Sequence, residues 1–316
     1  MRGTNVGNWE FVRIASGGGS TSLTFTKNLV NTYTDSGASQ AQLIKFPRYK
    51  NVIATSSTNP ADWDSNVGGV LAFAAKQLAG SATFNGVGYG YNQTGDGNDN
   101  FGKGDSGEGN IGDGLDGNNA ANGTGGGGGG GGSRETPGGG AGGGHATAGA
   151  NGTGSGPGIG GGTVGQNEPT TIFMGGAGGS GGGGYNASGL GGPGGAIAIL
   201  FIKRIIAPTL IDFGGSNGGN GTSGTYNSGD GGGGAGGSVL ICTEIADIGT
   251  DAIRVAGGVS GTGPGQDGGS GGKGRIAIYY GVSLAGSINS TYYGSYYTEK
   301  DVSLIDASGG AFLLFV

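Results

Sequence analysis

Cysteine, histidine and proline are scarce in this chain of 316 residues, which has one Cys, one His and 8 Pro. The lone Cys242 allows no intrachain disulfide. In Val239-Leu240-Ile241-Cys242 it reads as a small buried apolar residue. The lone His145 rules out a multi-histidine zinc site, and any Ser-His-Asp triad would have to use it. Nothing around Ser133 or Ser155 has the form of a nucleophile elbow. Flanked by Gly-Gly-Gly and Ala, His145 reads as an exposed or loop-anchoring side chain.

Low proline and the lack of a strict Gly-X-Y period exclude collagen. No apolar stretch reaches about 18 residues, so no transmembrane helix is expected. No secretory leader is evident either, because Met1–Asn5 leads directly into the strand-like Trp9–Ile14. Basic residues number 15 against 21 acidic, a net charge of −6, with no basic stretch interleaved with aromatics. Nucleic acid and membrane insertion are therefore not expected.

What the chain has is glycine, at 87 residues. Residues 1–92 are of ordinary complexity, 93–193 are glycine-dominated, and 194–316 alternate apolar strands with glycine-rich joints. Between Tyr91 and Thr170 the large aliphatic or Phe residues are only Phe101, Ile111, Leu115, Ile159 and Val164. Five such side chains cannot make a core, so order there would have to rest on backbone hydrogen bonds. The run Gly125–Gly132 has no following Lys-Ser/Thr and no strand-to-helix context, which excludes a phosphate loop.

A repeat organises the rest. Apolar strands follow Gly69, Gly195, Gly237 and Gly274, and each continues through a short polar turn to a second strand and back to glycine. The last three starts are 42 and 37 residues apart. Such a unit cannot bury its own apolar face, whereas stacked parallel copies can. Gly-Gly-x triplets precede the strands at Ala196, Val239 and Ile276, and another copy occupies 175–180. A period of three matches polyproline-II geometry, in which neighbouring glycine segments can exchange N–H···O=C bonds. One residue in three then carries a side chain where it faces solvent. The expected fold is all-β: short parallel β-solenoid or sandwich units with a polyglycine-II-like bundle.

Candidate sites are few. Asp96, Asp99 and Asp105 lie with Glu108, Asp113 and Asp116 in an acidic, glycine-rich stretch. Hard oxygens on tight turns suit Ca²⁺, and solvated loop carboxylates are the other reading. Asp62 and Asp64 flank Trp63, which suits sugar stacking in a glycan depolymerase or, alternatively, a structural aromatic closing a turn. Tyr292, Tyr293, Tyr296 and Tyr297 alternate with small residues, as receptor-contact surfaces do, or they pack across strands of a final hairpin. The apolar Ala311–Val316 reads as a last strand, docked internally or on another subunit.

The order Trp9-Glu10-Phe11, Tyr33, Gln42 to Tyr49, Trp63-Asp64, Gly68-Gly69-Val70, the glycine tract and Gly272 to Tyr280 resembles glycine-rich proteins of bacteria and their phages, including tail-fibre and adhesin-like chains. The resemblance covers most of residues 9–280. It implies a non-enzymatic extracellular or virion protein with no cofactor beyond Ca²⁺. Loops at one end would bind a cell-surface glycan or protein, and further partners would be copies of itself or other fibre or virion subunits. A self-assembling extracellular filament subunit is the alternative, and a glycan depolymerase the third reading.

Overall fold

The computed structural model describes residues 2, 6–36, 39–93, 104–110, 126–132, 137–168, 170–183, 187–206, 209–223, 227–301 and the backbone of 312–315. Nearly all its regular structure is strand. One 3₁₀ turn, Ser290–Tyr292, is the only helical element among the described residues.

The apolar runs after the unit-opening glycines become the long strands β6 (Val70–Gly80), β8 (Ile197–Ile205), β10 (Ser238–Thr250) and β12 (Arg275–Ser287). With β5 (Arg48–Ala54) and β13 (Ser295–Lys300) they form one parallel sheet, ordered β13-β12-β10-β8-β6-β5. The second strands of the first three units, β7 (Thr83–Asn85), β9 (Leu210–Asp212) and β11 (Ile253–Arg254), pair in a smaller parallel sheet. Stacking thus repeats unit on unit. After the fourth unit returns to Gly294, β13 joins the large sheet beside β12, with Ser295 level with Arg275 as the first strands of the other units are. The connection from β12 to β13 is therefore a parallel crossover and not the final hairpin.

The register refines the sequence alignment. Val70, Ser238 and Arg275, each following its glycine, lie at one level, but their neighbour on β8 is Ile197 and not Ala196. The second unit enters one residue late, with the Ala196 amide donating to the carbonyl of Gly86.

Both faces of the large sheet are buried, which explains its near-continuous apolar runs. One face carries Phe73, Leu78, Leu200, Ile202, Ile241, Ile276 and Ile278 against Phe84, Ile211, Phe213, Ile253 and Val255 from the small sheet and its exits. The other carries Ile197, Ile199, Phe201, Leu240, Cys242 and Tyr279 against Phe46, Trp63, Tyr91, Ile172 and Met174. A third sheet pairs β1 (Trp9–Val12) and β4 (Gln42–Lys45) on either side of β14 (Phe312–Phe315), all antiparallel. The C-terminal apolar segment docks within its own chain. The hairpin β2 (Ile14–Ser16) and β3 (Thr24–Phe25) completes the strands.

The glycine segments follow a hydrogen-bond rule of period three. Along 137–144, the amides of Gly138, Ala141 and Gly144 donate to the carbonyls of Gly132, Gly129 and Gly126. Those of Gly139 and Gly142 donate to Thr153 and Ala150, and those of Gly140 and Gly143 to Asp230 and Gly233. The same segment accepts from Gly158 and Gly161, from Gly176, Gly179 and Gly182, and from Gly269 and Gly272. It therefore has six hydrogen-bonded neighbours, three by donation and three by acceptance. Segment 228–237 is likewise surrounded: it donates to 174–183, 213–223 and 267–274 and accepts from 137–144, 187–196 and 256–262.

Glycine is needed here for space. Along segments 126–132, 137–144, 174–183, 187–196, 213–223, 228–237, 256–262 and 267–274, as far as they are described, only Gly126 has positive φ, while Gly154, Gly156 and Gly165 with positive φ lie between segments. A Cβ on Gly143 would come within 2.0 Å of the Gly176 carbonyl oxygen, and one on Gly232 within 2.0 Å of that of Ala141. Side chains are not confined to the solvent side: Ala141, Ala177, Ser180 and Ala235 are fully buried. Small residues occupy interior slots, which corrects the expectation that substituents face outward only.

The segments are continuous with the sheets. Residues 187–196 run into β8, 228–237 into β10 and 267–274 into β12, while 213–223 and 256–262 lead away from β9 and β11. First-region and third-region strands share one sheet, because β6 is laddered directly to β8.

Candidate functional site

The turns joining the glycine segments gather at the end away from the sheets. Thr153 donates to Asp267 while Thr147 bonds Lys273, so the turns at 154–157 and 263–266 emerge together. Gly132 reaches Gly156, and the Asn227 side chain donates to the Pro264 carbonyl at 2.8 Å, which brings the 227 turn to the same place. Ser155 and Gln266 are exposed there.

This end is braced by Asp230, which is fully buried. Its Oδ1 accepts the Gly221 amide and its Oδ2 the Gly263 amide, each at 2.6 Å. The carboxylate thus satisfies two backbone donors at once. Along the flank, Asn217 and Asn220 accept from the amides of Val259 and Thr262, spaced three residues apart.

The end next to the sheets is braced by His145, also fully buried. Its Nδ1 lies 2.7 Å from the Gly236 carbonyl oxygen. A carbonyl only accepts, so Nδ1 carries the proton and Nε2 faces the Ser238 hydroxyl at 3.5 Å. Burial and the nearby Arg275 lower its pKa to about 4. The Ser238 hydroxyl donates to the Phe173 carbonyl at 2.7 Å. Its proton is thus committed to the backbone, and among the described residues no carboxylate is bonded to the ring. The exposed option for His145 is corrected: glycine neighbours leave room for the ring to be enclosed.

Trp63 is buried to 1% exposure and donates from Nε1 to Glu108 Oε2 at 2.9 Å. Glu108, itself buried, also accepts the Asn92 amide and pairs with Arg2 at 3.3 Å. Trp63 stacks edge-on against Tyr91, with centroids 5.7 Å apart. A ring so enclosed offers no face to a sugar, so the structural reading of Trp63 holds. Asp64 caps its turn by accepting the amides of Asn66 and Val67, which lowers its pKa.

Of the proposed calcium ligands, Asp96 and Asp99 lie outside the described residues. The Asp105 backbone is tied to Ser180, its amide donating to Oγ at 2.6 Å and its carbonyl accepting the Ser180 amide. Among the described residues no group of three or more His, Cys, Asp or Glu is placed to hold a metal ion.

The four tyrosines do not share one surface. Tyr296 and Tyr297 are successive strand residues and turn to opposite faces: Tyr296 packs on the core shared with the small sheet, and Tyr297 against Tyr279 at 5.8 Å on the other. Tyr293 packs on Tyr296 at 5.3 Å, and the Arg254 guanidinium sits 4.6 Å over the Tyr292 ring. Burial raises the pKa of Tyr296, and the hydrogen bond to Glu299 raises that of Tyr297. Burial also pushes the Cys242 thiol up.

Sequence reasoning missed Asp230 and the Glu108–Trp63 pair. An acid amid glycines and two residues 45 apart carry no local signal of mutual contact. Among the described residues no helix is long and apolar enough to cross a membrane. No protein-family model matches the chain, and neither a characterised relative nor a solved structure does.

Proposed function

We propose that this chain is a non-enzymatic structural and adhesive protein of an extracellular or virion assembly. In this reading its glycine segments form a polyglycine-II-type bundle, its strand units form a short solenoid continuous with that bundle, and the turns at the bundle's far end contact a cell-surface glycan or protein. The observation that carries it is the six-neighbour hydrogen bonding of segment 137–144. Each successive amide there turns to a different neighbour, which makes a stiff body without a side-chain core. A body so built holds short turns in fixed positions, and preorganised loops lose little entropy on binding.

Binding of fluorescently labelled chain to a panel of bacterial cells tests the reading. Saturable binding to particular cells is expected. Ser155→Arg and Gln266→Arg should weaken it with melting temperature unchanged, whereas Tyr292→Ala should leave it intact. Absence of saturable binding across the panel, or binding indifferent to both turn substitutions, would sink the proposal.

A further inference from the structure

A bend repeats at one level of the large sheet. Tyr49 and Val52, Ala75 and Leu78, and Ile202 and Ile205 each face the core shared with the small sheet, although the members of each pair are three residues apart. Strict alternation would set them on opposite faces. Each strand therefore takes up one extra residue here, and the two residues between are turned outward: Lys50-Asn51, Lys76-Gln77 and Lys203-Arg204. All are exposed except Gln77, which is half-buried. The register stacks these pairs. Asn51 lies level with Gln77, Gln77 with Arg204 and Arg204 with Ile245. The constant offset on either side of these partners puts Lys50, Lys76, Lys203 and Glu244 in the row beside them. Neighbours in that row meet, as the Lys203–Glu244 ion pair at 3.0 Å shows. Arg48 is on the Lys50 side of β5, since Tyr49 between them packs on Phe73.

Arg48, Lys50, Lys76, Lys203 and Arg204 thus stand together on three adjacent strands that contain no Asp or Glu. Among the described residues no carboxylate pairs with Lys50, Lys76 or Arg204, and Glu244 answers Lys203 alone. The chain as a whole has a net charge of −6, so this ridge reverses its sign locally. Adjacent strands lie about 4.8 Å apart, which crowds the three lysines. Like charges side by side destabilise a sheet. The arrangement gives up stability and gains a concentrated positive field.

We infer that this ridge binds a linear glycan carrying carboxylates, laid across β5, β6 and β8. The row of Lys50, Lys76 and Lys203 meets successive carboxylates. In the row beside it the amides of Asn51 and Gln77 donate to and accept from sugar hydroxyls, and Arg204 donates. Neither row holds an aromatic ring on which the bases of a nucleic acid would stack. The ridge lies on the sheet, whereas the receptor reading concerns the turns of the bundle, so either can fail without the other.

Titration calorimetry of the full chain with polygalacturonate at low and high salt tests the inference, with dextran as an uncharged polymer and single-stranded DNA as a phosphate polymer. Binding to polygalacturonate that weakens as salt rises is expected, with none to dextran and weaker binding to DNA. A chain with Lys50→Gln, Lys76→Gln and Arg204→Gln should bind polygalacturonate roughly tenfold more weakly. Its melting temperature should be unchanged or raised, because the row loses its repulsion. Arg13→Gln, Lys27→Gln and Lys300→Gln together remove as much exposed charge elsewhere and should leave binding as in the wild type. Glu244→Gln releases Lys203 and should tighten binding. No binding to polygalacturonate at low salt, tighter binding to DNA, or equal weakening by the two triple variants would overturn the inference.

Discussion

His145 Nδ1 lies 2.7 Å from the carbonyl oxygen of Gly236, the second residue before β10 begins. The imidazole thus pins a glycine segment to the root of the strand that follows it. Its enclosure makes the joint sensitive to protons. The folded-state pKa of about 4 lies below the ordinary 6.5, so the unfolded chain binds more protons between those values. Stability is then full above pH 6.5 and falls as pH drops toward 4, by roughly 3 kcal/mol in all. Arg275 is the charged group that faces the ring, and it opposes protonation. Urea midpoints at pH 7.5, 5.5 and 4.5 should decline, and His145→Gln should flatten the slope over the upper part of that range. A wild-type midpoint constant from 7.5 to 4.5 would contradict the burial argument.

Glycine substitutions should split by location. Gly143→Ala and Gly232→Ala drive a methyl into a backbone carbonyl that cannot move aside, and each should cost at least about 3 kcal/mol or prevent folding. Gly162→Ala points into open space without positive φ and should be neutral or stabilising by roughly 0.5–1 kcal/mol. Equal effects at the three sites, read by thermal melting, would show that the close packing of these segments is not what requires glycine.

Replacing Glu108 by Ala should destabilise by about 3–5 kcal/mol. It leaves the Trp63 indole N–H, the Asn92 amide and Arg2 without their common acceptor. Trp63 fluorescence supplies a local readout: red-shifted emission in the folded variant would mark water entering beside the ring.

Asp230→Asn keeps shape but loses one acceptor. An amide oxygen can take the Gly221 or the Gly263 amide, and the NH₂ group then faces the other donor. The expected cost is about 1–3 kcal/mol, with amide exchange quickened at Gly221 and Gly263 first. Exchange quickened instead beside His145, with these two unchanged, would place the brace elsewhere.

The strands and their parallel stacking were legible because apolar runs of constant form recur after Gly69, Gly195, Gly237 and Gly274. The triplet period of the joints was legible for the same reason. The one-residue delay at Ala196 was not, since Gly194-Gly195-Ala196 offers no side chain that distinguishes one register from the next. Which glycine segment lies beside which was equally hidden: Gly140 meets Asp230 and Gly269 through its backbone alone. Burial of Trp63 and His145 depends on contacts across 45 and 91 residues, beyond the reach of any local pattern. The tyrosines looked like one patch because they are close in sequence, and strand alternation divides Tyr296 from Tyr297.

The unbroken passage from residues 187–196 into β8, and from 228–237 into β10, has a mechanical consequence. The chain is extended on both sides of the joint, and its hydrogen bonds lie across its direction of travel. A pull between the sheet end and the turn end therefore loads many bonds in shear at once. They must fail together and not one after another, so the molecule should resist tension along its length as a strut does.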